Sequence, residues 1–185
     1  MEKIENSKKL TETLSNKKVK YIVGTTLLSV IGIALPRVFH VIAGSTAGAT
    51  FLPMHIAVLI AALTFGITSS TIVAGSSIVC SYLLTGMPSL ARLPYMLIEL
   101  VIYAILLGIF NKKFNSYISL IATIILGRIL YAGVLFVAIN ALGLPTYGIS
   151  VIESIKVGIP GIIIQLACVP VIAKIMNERL NLKND

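Results

Sequence analysis

The chain alternates long apolar runs with short polar connections, and its ionisable residues fall almost entirely in those connections. A helix rises 1.5 Å per residue, so about 20 apolar residues cross a hydrocarbon core of roughly 30 Å. On that scale the pattern predicts six spans: Tyr21 to Leu35, Phe51 to Ile67, Ser69 to Thr85, Pro94 to Phe110, Tyr117 to Ala141 and Gly158 to Met176. Several are short for a full crossing, which implies mismatch, tilt or extension past these limits. The second and third are divided only by the stretch from Gly66 to Ser70. Gly158, Pro160 and Gly161 mark the start of the sixth helix, where proline is tolerated in the first turn, and Pro170 falls later in it.

Composition agrees with a membrane class. Of 185 residues 57% are hydrophobic and 12% charged, and the mean hydropathy is +0.97, too apolar for a soluble domain of this size. The net charge of +8 does not indicate nucleic acid, because the lysines and arginines flank the apolar segments as a membrane topology requires. With the N-terminus cytoplasmic, the inner side holds Lys3, Lys8, Lys9, Lys17, Lys18, Lys20, Lys112, Lys113, Lys174, Arg179 and Lys183. The outer side holds only Arg37, Arg92 and Lys156. Both termini are therefore expected inside. The fold expected is an all-α membrane protein, a compact bundle of six transmembrane helices. Residues 1–20 form a cytoplasmic tail with no signal-peptide cleavage pattern, 21–176 the helical domain, and 177–185 a second cytoplasmic tail.

Two charges interrupt the apolar runs. Glu99 and Arg128 each lie inside a predicted span, where a charge costs roughly 2.5 to 3.5 kcal/mol even on lenient insertion scales. Glu99 is roughly 7 Å from the outer start of its span, Tyr103 is one turn below it, and Gln165 is roughly 10 Å into the sixth span. Arg128 is near the middle of the fifth, Tyr131 and Asn140 continue outward, and His55 opens the second. The outward half thus collects the polar groups, as an externally accessible pocket for a small polar molecule would. The candidate contacts are Glu99, Arg128, Gln165, His55, Tyr103 and Tyr131. The two charges fit either ligand contact or a bridge between the fourth and fifth helices. The tyrosines and Gln165 equally fit interhelical packing and hydrogen bonding.

Other chemistry is thinly represented. His40 and His55 lack a third ligand, so no metal site is expected, and Cys80 and Cys168 read as small core residues. The sequence contains no GxxxxGK[ST] loop, so any ATP hydrolysis belongs to partner subunits. A membrane-embedded serine protease would need a late histidine, and none follows His55. Thr25, Ser29 and Gly32 on the first span, and Ala74 to Ser77 on the third, are small enough for close helix packing or partner docking.

Four segments together resemble the substrate-binding S component of energy-coupling-factor vitamin transporters. They are FLPMHIAVLIAALTFG (51–66), SYLLTGMPSLARLPYMLIELVIYAILLGI (81–109), ILGRILYAG (125–133) and GIPGIIIQLACVP (158–170). The likeness is to a generic clostridial-type branch and spans most of residues 20 to 176. It implies a six-helix subunit of a bacterial cytoplasmic membrane that captures a vitamin-sized molecule from outside. A membrane coupling subunit and two cytoplasmic ATPases would power release inward. It also implies a docking face of small residues on the first helix, to which Thr25, Ser29 and Gly32 correspond without the literal AxxxA pattern. Pyridoxine-like, folate-like, pantothenate, cobalamin and haem-like ligands all remain open. The alternatives are a stand-alone secondary transporter and, third, a membrane enzyme using Ser76 or Glu99.

Overall fold

A computed structural model describes residues 16–44, 50–140, 143 and 151–182. Six helices account for nearly all of them: α1 (Lys17–Ala43), α2 (Pro53–Phe65), α3 (Ile67–Thr85), α4 (Leu93–Phe110), α5 (Ser116–Asn140) and α6 (Val151–Leu180). Five are long and apolar enough to cross a membrane; α2 is the shorter apolar one. The chain is a multi-pass helical membrane protein.

α2 is the axis of the bundle. Every one of its 13 residues except Ile56 is buried, and it packs against α1, α3, α4 and α6. The remaining five helices pack each against the next in the order α1, α3, α4, α5, α6. A helix apolar on all sides has no face to offer water, so full burial is its stable setting. Its length of about 20 Å is less than a hydrocarbon core, which corrects the expected second span from Phe51 to Ile67. The local backbone gives the reason. Leu52, with φ 48° and ψ 46°, interrupts the helical path immediately before Pro53, which starts α2 without needing an N–H partner. At the other end Gly66 adopts φ 83°, a conformation open to glycine, and turns the chain directly into α3. The carbonyl of Leu63, in the last turn of α2, accepts from the side-chain amides of Asn111 and Asn177 at 3.4 and 3.5 Å.

Contacts along the helices fix their directions. On α1, Gly24 abuts the Phe65 ring and Gly32 abuts Ala57, so α1 and α2 run antiparallel. Farther along, the rings of Phe39 and Phe51 lie 5.0 Å apart. Lys20 Nζ donates to the Leu180 carbonyl at 2.9 Å, which puts the beginning of α1 and the end of α6 at one end, the base. Outward faces such as Ile121, Ile125 and Ile129 on α5 are exposed apolar surface, as a lipid-facing stripe requires.

Other sequence expectations change. α6 starts at Val151, so Pro160 is interior rather than in the first turn. Transmembrane helices tolerate such a proline because neighbouring groups satisfy the freed carbonyl. Cys80 is half-buried and Cys168 exposed, so neither is a core residue. Thr25, Ser29 and Gly32 face into the bundle. Thr25 is buried, Ser76 Oγ donates to Ser29 Oγ at 2.9 Å, and Gly32 lies against Ser77 and Ala57. Their small size closes the α1–α3 seam, with Ser29 half-buried.

Gly161 lets α6 meet the backbone before α2: a Cβ there would lie 2.7 Å from the Phe51 carbonyl and 2.8 Å from that of Thr50. Gly161→Ala is expected to cost about 1–3 kcal/mol, lowering the unfolding midpoint in detergent by about 3 °C or more. Gly75→Ala, with open space around its Cβ, is expected to leave the midpoint unchanged or raise it.

Candidate functional site

The six candidate residues are all buried, from 1% exposure at Gln165 to 7% at Arg128. They divide into a connected group and two residues beside it. Arg128 Nη1 donates to Glu99 Oε1 at 2.7 Å, joining α5 to α4. The same carboxylate oxygen lies 3.6 Å from His55 Nε2 in the first turn of α2. The His55 ring stands edge-on to Tyr103, with centroids 5.3 Å apart and planes at 87°. Tyr103 follows Glu99 by one helical turn and so shares its face. Gly127, next to Arg128, lets α5 approach that ring, since a Cβ there would be 3.2 Å away.

Of the two readings of Glu99 and Arg128, the structure shows the bridge between α4 and α5. The carboxylate takes one guanidinium N–H, while Arg128 Nε remains buried without a hydrogen-bond partner. Gln165 Nε2 is likewise buried and unpartnered, and His55 Nε2 has only the Glu99 carboxylate at 3.6 Å, beyond hydrogen-bond distance. Interior polar groups are nearly always satisfied, so such atoms call for an explanation.

Gln165 is buried on α6. Gly158 and Gln165, seven residues apart, fall on one face of that helix. A Cβ at Gly158 would be 3.1 Å from Leu52 Cδ1 and 3.7 Å from Arg128 Nη2. Farther down, Asn177 meets Leu63. Between these two contacts, Gln165 is level with the beginning of α2, where His55 sits. Tyr131 stands beside the group. It lies one turn from Arg128, away from the base, in a small cluster with Tyr95, Leu135 and Ala138.

Sequence reading missed Tyr95, Gly158 and the Leu52 interruption as parts of this region. The glycines at 158 and 161 and glutamine at 165 carry a helical spacing that marks one close-packed face; the break at Leu52 has no composition signal. His40 takes another partner, its ring nitrogen lying 3.1 Å from the Gly44 carbonyl. Among the described residues no three His, Cys, Asp or Glu side chains gather at a metal-binding distance. Ser76 has Ser29 and the Ile72 carbonyl as partners rather than an imidazole.

A cavity of about 480 Å³ opens at the base between the start of α5 and the end of α6. Tyr117, Lys174, Asn177 and Glu178 line it. Its charges are solvated and paired, Lys174 lying 3.9 Å from Glu178 with both side chains exposed.

No family model, curated protein or solved structure matches the chain.

Breaking the buried pair should cost more than removing it. Arg128→Leu alone leaves a buried carboxylate uncompensated and is expected to destabilise by about 3–5 kcal/mol. The double variant Glu99→Leu, Arg128→Leu is expected to recover most of that loss, read from unfolding midpoints in a double-mutant cycle.

Proposed function

We propose that this chain is the substrate-binding membrane subunit of an ATP-driven importer of the energy-coupling-factor type, capturing a vitamin-sized micronutrient at a bacterial cytoplasmic membrane. The observation that carries the proposal is the buried group of Glu99, Arg128 and His55, with unpartnered polar atoms, in a bundle half away from the base. The excess of lysine and arginine near the base puts that half outside, facing the supply of ligand. Tyr103 provides an aromatic wall, and His55 and Gln165 provide hydrogen bonds.

The chain carries no phosphate-binding loop, so a membrane coupling subunit and two cytoplasmic ATPases supply the energy. Thr25, Ser29 and Gly32 are occupied within the bundle. The coupling subunit meets the outward residues of α1 instead, where Thr26, Val30 and Ala34 are exposed at one-turn spacing.

One observation favours a stand-alone secondary transporter. The backbone interruption at Leu52, beside a buried charge pair, resembles the discontinuous helices on which ion-coupled carriers build their sites.

Purification from the native membrane in mild detergent separates the readings. The importer reading expects the coupling subunit and ATPases to copurify, a small molecule to be released on denaturation, and uptake to stop when ATP is depleted. Uptake that survives ATP depletion but collapses with the ion gradient, with no ATPase recovered, would establish the carrier instead.

A further inference from the structure

The proposed binding function leaves open the chemical character of the captured molecule. The guanidinium of Arg128 has five N–H donors and no acceptor. Glu99 takes one of them through a single oxygen, and Nε is left buried without a partner. A bidentate pairing would have used two donors. Gln165, 99% buried, brings a second unpartnered donor from α6, its amide Nε2. Gly158 lets α6 come close to this guanidinium, since a Cβ there would lie 3.1 Å from Leu52 Cδ1 and 3.7 Å from Arg128 Nη2. Among the described residues the other buried side-chain atoms without a hydrogen bond are His55 Nε2, 3.6 Å from the Glu99 carboxylate, and the Thr64 and Thr123 hydroxyls. Thr64 and Thr123 lie toward the base, and a hydroxyl turns to suit either kind of partner.

We infer that the molecule taken by this site buries a hydrogen-bond acceptor, a carboxylate or carbonyl oxygen, between Arg128 Nε and Gln165 Nε2. The inference rests on the ligand-binding reading and adds a division of roles within it. Arg128 and Gln165 are binding residues. Glu99 is a positioning residue that fixes the guanidinium and neutralises it, so the ligand meets oriented donors rather than a bare cation. An unsatisfied buried donor is costly, which makes the site select against molecules offering only donors at this position.

The test uses purified protein washed in mild detergent until mass spectrometry finds no further small molecule leaving it, with formate as the smallest carboxylate probe. About 50 mM sodium formate is expected to raise the unfolding midpoint by about 2–4 °C over equal sodium chloride, and methylammonium chloride is not. Arg128→Lys, which keeps the charge and loses the Nε–H, should remove at least half of this shift. Gln165→Leu should do the same and decides the matter if the lysine variant fails to fold. Glu99→Gln should enlarge the formate shift, because the charge on Arg128 is no longer neutralised; a purely structural role for Glu99 would not change it in that direction.

A formate shift no larger than that of chloride, an equal shift with methylammonium, or a full shift in the folded variants overturns the inference. A smaller shift in Glu99→Gln overturns the division of roles. The two levels fail separately. A vitamin-sized molecule in the washings with no formate effect leaves the importer reading standing and rejects this one; washings without such a molecule count against the importer reading itself.

Discussion

A guanidinium cannot be left alone inside a helical bundle in a hydrocarbon layer, and the hydrogen bond from Arg128 to Glu99 at 2.7 Å is the response to that constraint. It ties α4 to α5 and brings His55 of the central helix to within 3.6 Å of the shared carboxylate. Around this point glycines take the place of bulk. Gly127 admits Tyr103, Gly158 admits Leu52 and the guanidinium, and Gly161 admits the backbone of Thr50 and Phe51. The bridge satisfies one donor and leaves another, Nε, without a partner, so one interaction holds the helices without using the whole guanidinium. A fully bidentate bridge would have used two donors.

The short central helix makes this arrangement possible. Because α2 begins only at Pro53, its first turn brings His55 to the level of Glu99 inside the bundle instead of at a membrane surface. The five surrounding helices carry the lipid-facing apolar surface, which frees α2 from meeting the bilayer. Toward the base the chemistry differs: Asn111 and Asn177 satisfy the Leu63 carbonyl, and Lys20 satisfies that of Leu180. The two ends of the bundle thus differ in polar character: amide and ammonium groups meet carbonyls near the base, beside the buried Thr64 and Thr123 hydroxyls, and the charge pair lies in the opposite half.

Much of this was legible in the sequence because the signals are strong ones. Apolar runs of membrane length located all six helices, and α4 begins within one residue of its expected start. A lone acid and a lone base in such runs located the central pair. Boundaries were less readable where the backbone rather than composition decides them. The αL conformation of Leu52 shortens α2, and α6 continues through Gly158 and Pro160 despite their usual place at helix ends. Thr25, Ser29 and Gly32 were correctly seen as a close-packing face. Their partner proved to be α3 and α2 of the same chain, because small residues mark a tight contact without naming the other side.

An experimental structure of the protein purified with its bound small molecule measures the central claim most directly. The account predicts non-protein density with an oxygen at about 3 Å from both Arg128 Nε and Gln165 Nε2, while Glu99 remains paired with Arg128. Density bound elsewhere, or a bound molecule that presents only donors to Arg128 and Gln165, would contradict it.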